Sequence, residues 1–370
     1  MIFHLLYLVP LLIIGIIGLT VYFIIRLIRG RGKKGLKEKD WYLQLFLSKE
    51  DAVSQFFFLF SVFFLGVTLL SFNKDLGEPL SWRTILLLVS VIGLAIAYYF
   101  KVIYTLAVSL MGLAGWWGTQ AAKWTQEKDI KSAALFSGLL FIATVFYLLG
   151  RLHEKEIKFK RVSMVYLILG LIPITGLLFF LSTKSGLRTL EEITRGASFF
   201  SSWEITFSLF VFLISIVGIL VYASSKNLIF KPETLVIGFL VVLFSIIALL
   251  PGQTMFLQQK GYYYGFYRSA ELSGIGILWA FFFNILIFLE LVGIIFLGYL
   301  KRENWLINLG VFFIFILIFV KYFDWFFTFL DKSVFFIGAG ILLFIVGWFM
   351  EKGRRYLLSA TKREGISQSQ

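Results

Sequence analysis

The sequence predicts an all-α integral membrane protein, a polytopic helical bundle of about eleven transmembrane helices. Three observations lead there. The 370 residues are 59% hydrophobic, with a mean hydropathy of +0.89, whereas a soluble domain is roughly 45–50% apolar. Forty-four Phe stand beside only five Pro, which suits long unbroken apolar helices. The apolar runs also fail to alternate. FFFLFSVFFLGVTLL at 56–70 lacks the two-residue period of a barrel strand. Helices then remain as the way to satisfy backbone polar groups in lipid.

The elements follow from the N-terminus. Residues 1–25 (MIFHLLYLVPLLIIGIIGLTVYFII) have no basic residue before the apolar run and a basic cluster after it. They read as an uncleaved anchor rather than a signal peptide. Residues 26–51 form a basic, Gly-rich linker whose second half, WYLQLFL, is apolar enough to lie on a membrane. Such a patch attracts anionic lipid at about 1 kcal/mol per Lys or Arg, or it serves as a topology signal alone. Further spans are expected near 52–72, 82–100, 102–120, 133–150, 162–182, 203–224, 234–251, 275–300, 306–320 and 333–350, each close to the length that crosses a bilayer. Only Tyr98–Lys101 separates two of them, so a tight turn must fall there. Pro173 lies mid-span and is expected to kink its helix. Residues 351–370 close the chain as a basic tail, and residues 52–350 are the bundle proper.

The net charge of +14 would suggest nucleic acid in a soluble protein. Here it falls beside spans, where it sets orientation instead, so no nucleic-acid partner is expected. With the N-terminus outside, the inner segments hold 23 of the 35 Lys and Arg and the outer ones 12. That bias places the C-terminus in the cytoplasm and favours an odd number of spans. The chain has no Cys, which removes disulfides and thiolate metal sites.

Candidate site residues are few. Lys321, Asp324, Thr328 and Asp331 fall at i, i+3, i+7 and i+10, one face of a helix continuing the span 306–320. Everything between them is aromatic or aliphatic. The stripe is either an interfacial helix end or the lining of a pocket. Glu290 lies inside the span 275–300, with Asn284 six residues earlier. A carboxyl at that depth is expensive and usually faces the bundle or a water-filled cavity. It is either a proton or substrate site or a structural hydrogen bond. The loop 252–272 offers Tyr262, Tyr263, Tyr264, Phe266 and Tyr267 with Lys260, Arg268 and Glu271. These are either a headgroup or sugar site or part of an aromatic belt.

The order Asn308, Gly310, Lys321–Asp324, Phe327, Leu330–Ser333, Phe335–Gly338, Gly347–Trp348, Glu351–Lys352, Arg354–Arg355, Leu357 resembles the C-terminal end of a known family. It is a bacterial family of multi-pass membrane proteins of the domain-of-unknown-function 2157 type. The resemblance covers this stretch and, over 52–300, a similar succession of spans. Members often begin with a soluble helical segment, where this chain begins with a span. The resemblance implies a bacterial inner-membrane protein and supplies no activity and no catalytic residue.

No P-loop, H-E-x-x-H or D-x-D occurs, and the two histidines, His4 and His153, are expected on opposite sides. No cofactor is expected. The sequence therefore favours a non-enzymatic integral protein with an accessory or structural role and a possible membrane-protein partner. Two alternatives stand beside it. One is a secondary transporter using Glu290 and the polar stripe. The other is a membrane-embedded enzyme acting on a lipid-linked substrate at the outer face.

Overall fold

The computed structural model describes residues 52–155, 159–250, 256–258, 271–301, 303–326 and 332–367. Among them run eleven helices: α1 (Ala52–Asp75), α2 (Trp82–Phe100), α3 (Ile103–Glu127), α4 (Ser132–His153), α5 (Lys160–Leu181), α6 (Lys184–Ile193), α7 (Trp203–Ser225), α8 (Lys231–Leu249), α9 (Gly274–Lys301), α10 (Asn304–Phe326) and α11 (Lys332–Ser367). One two-residue antiparallel pairing joins β1 (Leu257–Gln258) to β2 (Glu271–Leu272). The all-helical class is as expected.

Nine of the described helices, all but α3 and α6, are long and apolar enough to cross a membrane. Ten spans are expected over the same stretch, and the difference is α3. It has 25 residues, but Tyr104, Thr105, Ser109, Thr119 and Gln120, with three Gly and two Trp, dilute even its more apolar first part. The span expected at 2–25 and the linker 26–51 lie outside the described residues.

The chain divides into two compact units, and α4, α5 and α8 contribute to both. Of the described residues, the first comprises 52–128, 141–170 and 202–241. Within it, α1 and α7 expose rows of large apolar side chains, among them Phe56, Phe60, Phe63, Phe207 and Phe210, surfaces suited to lipid rather than water. The turn into α2 is held by Asn73, whose side chain donates to the Leu80 carbonyl at 2.8 Å and accepts from the Leu80 N–H at 2.9 Å. Ser81 then caps α2 by accepting from the Thr84 N–H. The hairpin of α2 and α3 turns at Lys101, which is left-handed (φ 58°, ψ 40°). Small residues let the two helices close. Gly93 faces Ser109, and Gly112 faces Ser90. At Gly170 of α5, the place of a Cβ is taken by the backbone of Tyr147 and Ala143 on α4. Near the end of α4, the Tyr98 hydroxyl lies 3.0 Å from His153 Nε2 and donates to Tyr166 at 2.9 Å. The His153 ring stacks on that of Tyr166.

The second unit comprises residues 129–140, 171–201 and from 242 onward. Ser137 donates to the Phe244 carbonyl at 2.8 Å, and Lys131 to the Leu250 carbonyl at 2.7 Å. The segment 183–201, expected as a loop, contains α6, which buries Gly186, Leu187 and Leu190 on one face. Helices α9 and α10 meet where Gly298 abuts Ile307 and Gly310 abuts Ile295. Arg354 of α11 donates to Asn308 Oδ1 of α10 at 2.6 Å and pairs with Glu351. Arg354 thus joins Asn308 and Glu351 through two polar contacts.

Candidate functional site

The polar residues of the second unit gather along α5 and α9. Helix α5 stays helical through Pro173, and Thr175 and Ser182 are both buried. On α9, Phe283, Ile287, Leu291 and Ile294 form the buried stripe. Glu290 stands three residues after Ile287 and four before Ile294, so it shares the inward face. Thr175 Oγ1 donates to Glu290 Oε1 at 2.8 Å. Glu290 is half-buried as a residue, yet its Oε2 is fully enclosed and has no hydrogen-bond partner among the described residues.

A second rung lies farther along the same two helices. Asn284 Nδ2 donates to the Ser182 carbonyl at 3.1 Å and to the Ala280 carbonyl at 2.6 Å. Lys321 Nζ of α10 donates to the same Ser182 carbonyl at 2.6 Å. Ser182 directly follows the last residue of α5. Its carbonyl is therefore one of the acceptors that a helix end leaves open, and the helix dipole favours a cation there. Thr175 and Ser182 are seven residues apart, about 10 Å along the axis. Asn284 and Glu290 are six apart, about 9 Å. The two spacings match, so two polar rungs join α5 and α9 as antiparallel neighbours.

Of the residues singled out from the sequence, Asn284 and Lys321 are thus brought together on one carbonyl, and Glu290 pairs with Thr175. Helix α10 continues unbroken through Lys321 and Asp324 to Phe326, so the first half of the stripe is helical as expected. The side chain of Asp324, together with Thr328, Asp331 and Arg268, lies outside the described residues. Glu271 lies in β2, in register with Gln258, and its side chain is likewise outside the description.

The first unit holds a cluster that the sequence reading missed. Arg151, at the last turn of α4, is completely buried. Its Nε donates to Glu233 Oε1 at 2.6 Å, and its Nη1 to Glu154 Oε1 at 2.7 Å. The Tyr147 hydroxyl donates to the same Glu233 oxygen at 2.5 Å and accepts from Arg151 Nη2 at 2.8 Å. Glu233 lies in the first turn of α8. The cation thus sits at a helix C-terminus and the anion at an N-terminus, the arrangement that helix dipoles favour. The expected spans 133–150 and 234–251 leave Arg151 and Glu233 just outside them, which hid the pair. The available signal was the placement of Tyr147, Arg151 and Glu154 at i, i+4 and i+7, one face of a helix.

No group of three or more His, Asp or Glu among the described residues could hold a metal ion. The chain matches no protein-family model, no curated protein and no solved structure.

Proposed function

We propose that this chain is a non-catalytic integral protein of the bacterial inner membrane with an accessory or structural role. Its N-terminus is outside and its C-terminus is in the cytoplasm. The Ser182 carbonyl is the observation that carries the reading. Lys321 and Asn284, two of the residues best suited to line a substrate path, both donate to it. They act as an interhelical tie among α5, α9 and α10, and Arg151 and Glu233 do the same between α4 and α8. Buried polar groups satisfied in this way give helices a fixed register in a medium with no hydrophobic drive between them. The 23-to-12 split of basic residues, counted with α3 as a crossing helix, supports the orientation. The basic linker and tail bind anionic lipid, and a membrane protein is the expected partner.

Native electrophoresis after mild solubilisation of the host membranes tests this. An accessory role predicts migration in an assembly larger than the free chain. Migration solely as the free chain would contradict it.

A further inference from the structure

We propose that Glu290 is an intramembrane proton-binding site, whose carboxyl takes up and releases one proton while its other oxygen stays hydrogen-bonded to Thr175. The site goes beyond the structural role, because a tie between α5 and α9 does not need an acid. The rung at Ser182 is made by an amide and an ammonium, and a glutamine at 290 would accept from Thr175 equally well.

The argument starts from the acceptors. A carboxylate offers about four lone-pair positions. Here Oε1 receives one donor, Thr175, and Oε2 is enclosed with none among the described residues. Thr175 is itself fully buried, so the pair lies inside the helix packing rather than at its rim.

Among the described residues, the helices around Glu290 place no counter-charge beside it. From Leu171 to Leu181, α5 carries no ionisable side chain. On α9 the next titratable groups are Tyr299 and Lys301, nine and eleven residues on, about 14 and 16 Å along the axis. From α10, Lys321 reaches the Ser182 carbonyl, about 10 Å along α5 from Thr175. Tyr322 is the next residue on α10. The charged groups of α6 (Lys184, Arg188, Glu191 and Glu192) begin beyond Ser182. On α11, Glu351, Arg354 and Arg355 cluster beside Asn308, near the start of α10.

An ionised carboxylate so placed bears its full desolvation cost. A proton on Oε2 removes the charge and leaves Oε1 as the carbonyl that accepts from Thr175. The exchange is a plain protonation. One proton enters from water and one leaves, with no redox partner.

The test uses the full chain reconstituted in phosphatidylcholine vesicles. A hydrophobic carbodiimide reacts with a protonated carboxyl in apolar surroundings. The acid proton passes to a carbodiimide nitrogen, and the carboxylate oxygen bonds the central carbon. We expect one adduct on the peptide carrying Glu290. It should fade as pH rises, be indifferent to replacing choline chloride with sodium chloride, and be lost in Glu290→Gln. Infrared difference spectra of the wild-type chain should show a carboxylic-acid C=O band that titrates in parallel and shifts in Thr175→Val. The infrared reading of the wild type stands even if Glu290→Gln fails to fold. An acid band absent at every pH would overturn the proposal, as would a band and adduct that never change with pH. Protection by sodium would overturn it in favour of a metal cation.

Discussion

Arg151 and Glu233, 82 residues apart in the chain, form one buried ion pair with Nε to Oε1 at 2.6 Å and Tyr147 bonded to both. Removing Arg151 strands the Glu233 charge, and removing Glu233 leaves Arg151 with Glu154 alone. Arg151→Met or Glu233→Leu alone should destabilise the protein by roughly 3–5 kcal/mol, while the double replacement should cost much less. Unfolding of the purified chain in mixed detergent measures this. A double variant whose loss equals the sum of the two single losses would refute the pairing.

Gly170 is required by contact rather than by conformation. A Cβ there would meet Tyr147 N at 2.6 Å and the Ala143 carbonyl at 2.8 Å, backbone atoms that cannot rotate away. Gly170→Ala should therefore destabilise by about 1–3 kcal/mol. Gly218 of α7 has no atom within 4 Å of its Cβ position, so Gly218→Ala should be neutral or slightly stabilising through helix propensity. Side-by-side melting of the two variants checks the contrast.

Glu290→Gln should leave stability almost unchanged, because the amide oxygen still accepts from Thr175. Glu290→Leu should lower it by about 1–2 kcal/mol, the scale of an interhelical hydrogen bond in lipid. A Glu290→Leu protein as stable as wild type would show that the contact with Thr175 contributes nothing.

Much of the architecture was legible because its signals are local. The span expected at 82–100 is Trp82–Phe100, and the tight turn demanded at Tyr98–Lys101 falls at Lys101. Run length and a break between apolar segments suffice for such features. Helix α6 was legible in principle. Its buried Gly186, Leu187 and Leu190 follow a helical spacing, but ten residues between spans read as loop. The partners were not legible. Nothing near Glu290 in sequence points to Thr175, 115 residues away. Nothing marks the Ser182 main-chain carbonyl as an acceptor, because every residue has one. Arg151 and Glu233 fall just outside the expected spans, where charges usually meet water. Their burial depends on meeting each other.

Orientation is testable without a structure. Reporter fusions after Gln370 and within 183–201 should report opposite sides of the membrane, with Gln370 in the cytoplasm. The same side for both would overturn the topology drawn from the basic residues.

Thermal unfolding of the detergent-solubilised chain, compared among wild type, Lys321→Met and Asn284→Leu, bears most directly on the interhelical tie at Ser182. Both donors reach the same carbonyl. Each substitution should lower stability by about 1 kcal/mol, and the two losses should not add, because they share an acceptor. Melting unchanged from wild type in both variants would contradict a structural role for these residues and return them to the list of substrate contacts.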